Sequence, residues 1–189
     1  MTKWIIATAL GLALLYLIAL YNGLVRLRHE VTRSWANIDV LLKQRHDELP
    51  KLVAVCQQYA RFEQDTLTRV MEARSAVRDA RARNDVPRIG ALEEQLRGLL
   101  AQVWAVAEAY PELSADARFG ELSARISRLE DAIADRRELY NEAVNNLNVR
   151  VESFPDTLVA QALGFTPARP LTFAARDKAD VDIAALFQR

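Results

Sequence analysis

The chain is poor in the residue types from which reactive sites are built. Its one cysteine, Cys56, excludes an intramolecular disulfide and every paired-Cys zinc pattern. Its two histidines, His29 and His46, stand seventeen residues apart, and neither has a glutamate three positions before it, which excludes the Glu-x-x-His pairs of a di-iron bundle. No HExxH sequence and no Gly-rich phosphate loop occurs. No metal or other cofactor is therefore expected. Lys and Arg number 25 against 25 Asp and Glu, and this net charge of zero argues against general nucleic-acid binding. Only six Gly and six Pro interrupt the chain, and strand-forming runs are few. Ala, Leu, Arg and Glu predominate instead, the composition of long helices.

What the sequence does have is one long apolar run. Trp4 to Tyr21 contains eighteen residues without a charge. As a helix it would span roughly 27 Å, close to the hydrocarbon thickness of a bilayer. A cleavable signal would have a shorter core and a small-x-small site, whereas Leu20, Tyr21 and Asn22 follow here, so an uncleaved anchor is expected. Trp4, Tyr16 and Tyr21 fit the interfacial aromatic positions. Before the run stands Lys3; after it come Arg26, Arg28 and Arg33. That bias predicts a single-pass protein with its N-terminus outside and its C-terminal part in the cytoplasm. The same three arginines are candidate contacts for anionic lipid head groups, each worth about 1 kcal/mol near a charged surface.

Downstream, apolar residues recur at alternating spacings of three and four. The first stripe is Leu24, Leu27, Val31, Trp35, Ile38, Leu42, Leu49, Val53, Cys56 and Tyr59. Pro50 removes a backbone donor and should kink or restart this helix, after which the stripe resumes through Phe62, Leu67, Val70 and Val77. Asn84 to Pro87 is a turn. A second segment carries Ile89, Leu92, Leu96, Leu99 and Val103; a third, with Ser114 as the expected N-cap, runs from Phe119 to Val151, and Arg136 stands where an apolar residue is due. Arg136 marks either a polar layer between helices or a local shift of the stripe. Pro155 halts the third segment, a short helix over 157–163 is closed by Gly164, and Phe165, Leu171 and Phe173 are placed to plug the bundle. The fold expected is all-α: an anchor over 1–21 and an antiparallel up-and-down bundle of three or four long helices over 22–173. A tail over 174–189 is weakly helical or disordered.

The candidate polar contact cluster is Arg45, His46 and Asp47, just before Pro50, where a kink would free backbone carbonyls and a histidine could titrate. The plainer reading, a solvated or bundle-spanning hydrogen-bonded layer such as commonly satisfies freed backbone groups at a kink, is favoured. Cys56 lies on the apolar stripe and reads as a small core residue. The basic run Arg69, Arg74, Arg78, Arg81, Arg83 and Arg88 is interleaved with Glu72, Asp79 and Asp85, the pattern of a salt-bridged solvent face.

The stretches YNGLVRLRHEV, SWANIDVLLKQRHDELPKLV and TLTRVMEARSA, within residues 21–76, closely resemble the LemA family of bacterial membrane proteins. YNEAVNNLNVRVESFP and ALGFTP are similar to its second signature block, while His29 and the 111–119 turn depart from its usual pattern. The resemblance implies one N-terminal membrane helix with an extracytoplasmic N-terminus, then a helical bundle in the bacterial inner membrane, without an established activity. Some relatives are linked to bacterial membrane organelles. The function expected is a non-catalytic, membrane-tethered scaffold whose partners are the bilayer and either copies of itself or another membrane protein, with no small-molecule substrate. The alternative is a regulatory adaptor that switches at Pro50.

Overall fold

The three-and-four spacing of apolar residues is realised as helices throughout. The structure, a computed structural model that describes residues 1–59 and 64–172, has six: α1 (Thr2–Cys56), α2 (Gln64–Ala82), α3 (Val86–Glu108), α4 (Pro111–Ser114), α5 (Ala117–Glu152) and α6 (Asp156–Ala162). No strand occurs among the described residues. Phe62, Phe173 and the stretch 174–189 lie outside them.

The four long helices run up, down, up and down, as the short connections predict. The pairing of α5 with α1 holds along its length: Leu24 packs with Val151, Trp35 meets Tyr140 in a tilted ring contact, and Arg45 faces Glu130. Each step forward on α1 is matched by a step back on α5. The α2–α3 hairpin covers only the half of this pair farthest from the N-terminus. There, Leu49, Leu52, Val70, Leu100, Val103, Leu113 and Ile126 form the main core. Where the hairpin turns, Ile38, Ala80, Ile89, Ile133 and Tyr140 close it, with Leu171 buried among them. Nearer the N-terminus α1 and α5 continue as a two-helix stalk, covered by α6 and the segment after it.

Pro50 does not restart α1, which continues through it to Cys56 as 55 helical residues, about 82 Å of rise. The missing N–H of Pro50 would have bonded the carbonyl of His46. Arg74 Nε of α2 donates to that carbonyl instead, at 2.9 Å.

The other ends obey local rules. Asn84 takes a left-handed conformation (φ 52°) to end α2, and Asp85 caps α3 by accepting from the Arg88 N–H. Ser114 is not the cap of α5. It ends the one-turn α4 and donates to the Ala107 carbonyl, while Asp116 caps α5 by accepting from the Arg118 N–H at 2.8 Å. Asp116 also accepts from Tyr59 at 2.8 Å, which ties the far end of α1 to the start of α5. Gly164 closes α6 with φ 72°, and the Phe165 N–H bonds back to the Ala160 carbonyl.

Candidate functional site

Among the described residues, two places that combine polar chemistry with enclosed space stand out. The first is a charged layer across the bundle. On α1 the buried positions Ile38, Leu42, Leu49, Leu52 and Cys56 leave Arg45 in the same three-and-four alternation. On α3, Glu93 sits among Ile89, Leu96, Leu100 and Val103 in the same way, and on α5 Glu130 follows Ile126 and precedes Ile133. All three charges meet at one level. Arg45 and Glu93 are 4% and 3% exposed and form a direct ion pair; the Arg45 Nη1 to Glu130 Oε1 distance is 3.5 Å.

Burial lowers the Arg45 pKa to about 10 against the opposing attraction of Glu130. Glu130 is raised by its own desolvation, with Arg45 acting the other way. Beside these groups lies a cavity of about 30 Å³ lined also by Arg97, Ile133 and Arg137, room for about one water. Arg45 Nε is buried without a hydrogen-bond partner among the described residues. Chemically the layer can hold the three helices in register, because sliding any one of them would strand a buried charge.

The expected cluster of Arg45, His46 and Asp47 is thus divided. Arg45 points into the layer, His46 is half-buried against α2, and Asp47 is exposed. Burial lowers the His46 pKa below its ordinary value and Arg74 lowers it further, while Asp47 opposes them. Arg74 and Arg81 do not lie on a purely solvent-facing helix surface. Arg74 clasps the His46 carbonyl, and Arg81 donates to Asp39 on α1 at 2.7 Å. Arg136, expected in a polar layer or at a shift, is exposed; the stripe shifts by one residue so that Arg137 lines the cavity. Cys56 is fully buried and its thiol is pushed up to about 11 by desolvation, as suits an inert core residue.

The second place is the stalk. After α6 the chain runs in extended form back along α5, held by asparagine side chains. Asn148 donates to the Ala168 carbonyl (2.9 Å) and accepts from its N–H (2.8 Å). Asn141 does the same for Leu171, at 3.1 and 2.8 Å. Seven helical residues rise about 10.5 Å, and three extended residues cover about 10 Å, so the two asparagines match Ala168 and Leu171 in step. Tyr140 Oη adds a bond to the Arg169 carbonyl at 2.9 Å. Pro167 and Pro170, which have no N–H to satisfy, precede the two bonded residues. At the end of this strap, a Cβ on Gly90 of α3 would lie 2.6 Å from the Thr172 oxygen, so only glycine permits the crossing.

Between strap, α1 and α5 is a cavity of about 250 Å³ lined by Arg28, Val31, Thr32, Leu147, Phe165 and Pro167. Arg28 sits 6.0 Å from the Phe165 ring. Arg26, Arg28 and Arg33 are all exposed, but they do not form one patch. Arg26 and Arg33, seven apart, share a face, and Arg28 falls on nearly the opposite one. Glu93, Glu130, Asn141 and Asn148 escaped sequence reading. The signal for the first two was a charge standing at an apolar position on each of two helices; for the asparagines no periodicity gave warning.

The LemA family model matches residues 34–184, which take in the charged layer and the strap. This chain belongs to the LemA family. Protein LemA of Metamycoplasma hominis is 26% identical over 170 residues, covering 87% of this chain and 74% of that protein. Two magnetosome proteins of Paramagnetospirillum magneticum, MamQ 1 and MamQ 2, are each 22% identical over 173 residues, covering 78% of this chain. The chain spans 63% of the length of each magnetosome protein. LemA membership agrees with the one helix among the described residues, near the N-terminus, that is long and apolar enough to cross a membrane.

Proposed function

We propose that this chain is a membrane-tethered scaffold or interaction module. In this reading residues 1–21 cross the bacterial inner membrane once with the N-terminus outside, and the bundle stands in the cytoplasm. Its exposed helical faces engage copies of itself or another membrane protein. No catalytic step, cofactor, small molecule or nucleic acid enters the reading. The observation that carries it is the continuity of α1: the apolar run and the bundle core belong to one uninterrupted helix, so whatever docks on the bundle is held at a fixed height above the membrane. Likeness to two magnetosome proteins is in keeping with a membrane-associated role. Chemical crosslinking in intact membranes tests the proposal. Discrete adducts of constant composition are expected, and recovery of the non-associated monomer alone would overturn it.

A regulatory adaptor that switches at Pro50 has one observation in its favour. The His46 carbonyl is held by α2 and not by the α1 backbone, so α2 can release it without breaking the ladder of α1. Pro50→Ala and His46→Gln should then change partner capture in protein that remains folded. Unchanged capture removes this reading.

A further inference from the structure

One segment of the bundle beside the apolar run is almost without charge. Between Glu152 and Arg169 only one residue, Asp156, carries a charge. It is 6% exposed and neutralised by Arg150, whose Nε donates to it at 2.8 Å. In the same stretch Phe154, Leu158 and Leu163 are exposed, Phe154 at 80%. Buried Ala160 faces the other way, onto Leu24, Leu147 and Val151. The hairpin between α5 and α6 therefore presents an uncharged outer surface with large apolar side chains.

Its height is fixed by packing. Residues 1–19 are exposed, whereas Leu20, still within the apolar run, is buried. Tyr21 makes an edge contact with Phe165, with ring centroids 6.1 Å apart. Val151 packs with Leu24, and α5 ends one residue later at Glu152, so the turn into α6 begins about one helical turn from the level of Tyr21. The part of the apolar run not covered by protein, residues 4–19, rises about 24 Å, short of the roughly 30 Å of hydrocarbon in a bilayer. A bilayer of unthinned thickness therefore extends past residue 19 to Leu20 and Tyr21, where the chain following α6 packs through Phe165.

We infer that the α5–α6 hairpin is a second bilayer contact, with Phe154 and Leu158 seated in the interfacial region beside the anchor and Leu163 at its edge. The bundle then rests on the lipid surface through two elements and cannot swing freely about α1. This rests on the anchor reading above, and the test separates the two.

Single cysteines are placed at 154, 158 and 163 in a Cys56→Ala background, with Leu14→Cys and Leu139→Cys as references within the apolar run and on the bundle. Each full-length variant is spin-labelled and reconstituted in liposomes of phosphatidylethanolamine and phosphatidylglycerol. Accessibility to oxygen and to a water-soluble nickel chelate is then compared. The expected result is an oxygen-to-nickel ratio at 154 and 158 severalfold above that at 139, approaching that at 14. An aqueous ratio at 154 or 158 with position 14 in lipid overturns the second contact and leaves the anchor standing, the bilayer having thinned to fit. An aqueous ratio at position 14 overturns the anchor and this inference with it.

Discussion

Arg74 Nε lies 2.9 Å from the carbonyl oxygen of His46, the acceptor that Pro50 deprives of its helical donor four residues on. A gap in one helix is closed by a side chain of its neighbour, so α1 stays helical through a proline and α2 is locked to it at that turn.

That relationship predicts a coupled pair of substitutions. Arg74→Met should destabilise the folded protein by about 1.5 to 3 kcal/mol, the range for a hydrogen bond involving a charged group. In a Pro50→Ala background the residue 50 N–H can take the carbonyl, and the same substitution should cost much less. Thermal unfolding of the four proteins of this double-mutant cycle, followed by circular dichroism in detergent, measures the coupling. Equal losses in both backgrounds would show that Arg74 acts elsewhere.

Removing one member of the charged layer should cost more than removing a pair. Arg45→Met leaves Glu93, 3% exposed, without the cation it is paired with and should destabilise by about 3 to 5 kcal/mol. Arg45→Met combined with Glu93→Met removes both of the most buried charges and should recover much of that loss. Denaturant midpoints of the single and double variants decide it; a double variant as unstable as the sum of its parts contradicts this account.

The asparagine pair makes a local prediction. Asn148→Ala removes two bonds to Ala168 and should raise amide hydrogen exchange at Ala168 and Leu171 by at least tenfold, about 1.4 kcal/mol of local stability. The amides of α2 should be unaffected. Gly90→Ala should loosen the same strap from the other side, through its clash with the Thr172 backbone. Exchange that rises equally across the bundle would show that the strap is not a separable unit.

His46 sets a pH dependence. Burial, Arg74, Arg81 and Arg78 hold its folded pKa below the ordinary value, opposed by Asp47. Below about pH 6.5 the unfolded chain takes up that proton more readily than the folded one. The contribution of neutral His46 is thus fully present above the ordinary histidine pKa and is lost as pH falls through it toward the lower folded value. Melting temperatures taken from pH 7.5 to 5 should fall more steeply for the natural protein than for His46→Gln. Parallel curves would show that His46 titrates alike in both states.

Periodicity by itself settled the class of this fold, because a three-and-four alternation of apolar residues has one good solution: helices packed along their stripes. It also placed the apolar run, the turn at Asn84 to Pro87 and the left-handed Gly164, each of which depends on the chemistry of a few adjacent residues. The tertiary structure decided what depends on distant partners. Whether Pro50 broke α1 was settled by Arg74, which lies on another helix. Whether Arg45 was a surface charge or a buried one was settled by Glu93 and Glu130, remote in sequence and adjacent only once three helices pack. A stripe records which side of a helix avoids water; it holds no information on which polar groups meet inside, because that is fixed by register between helices.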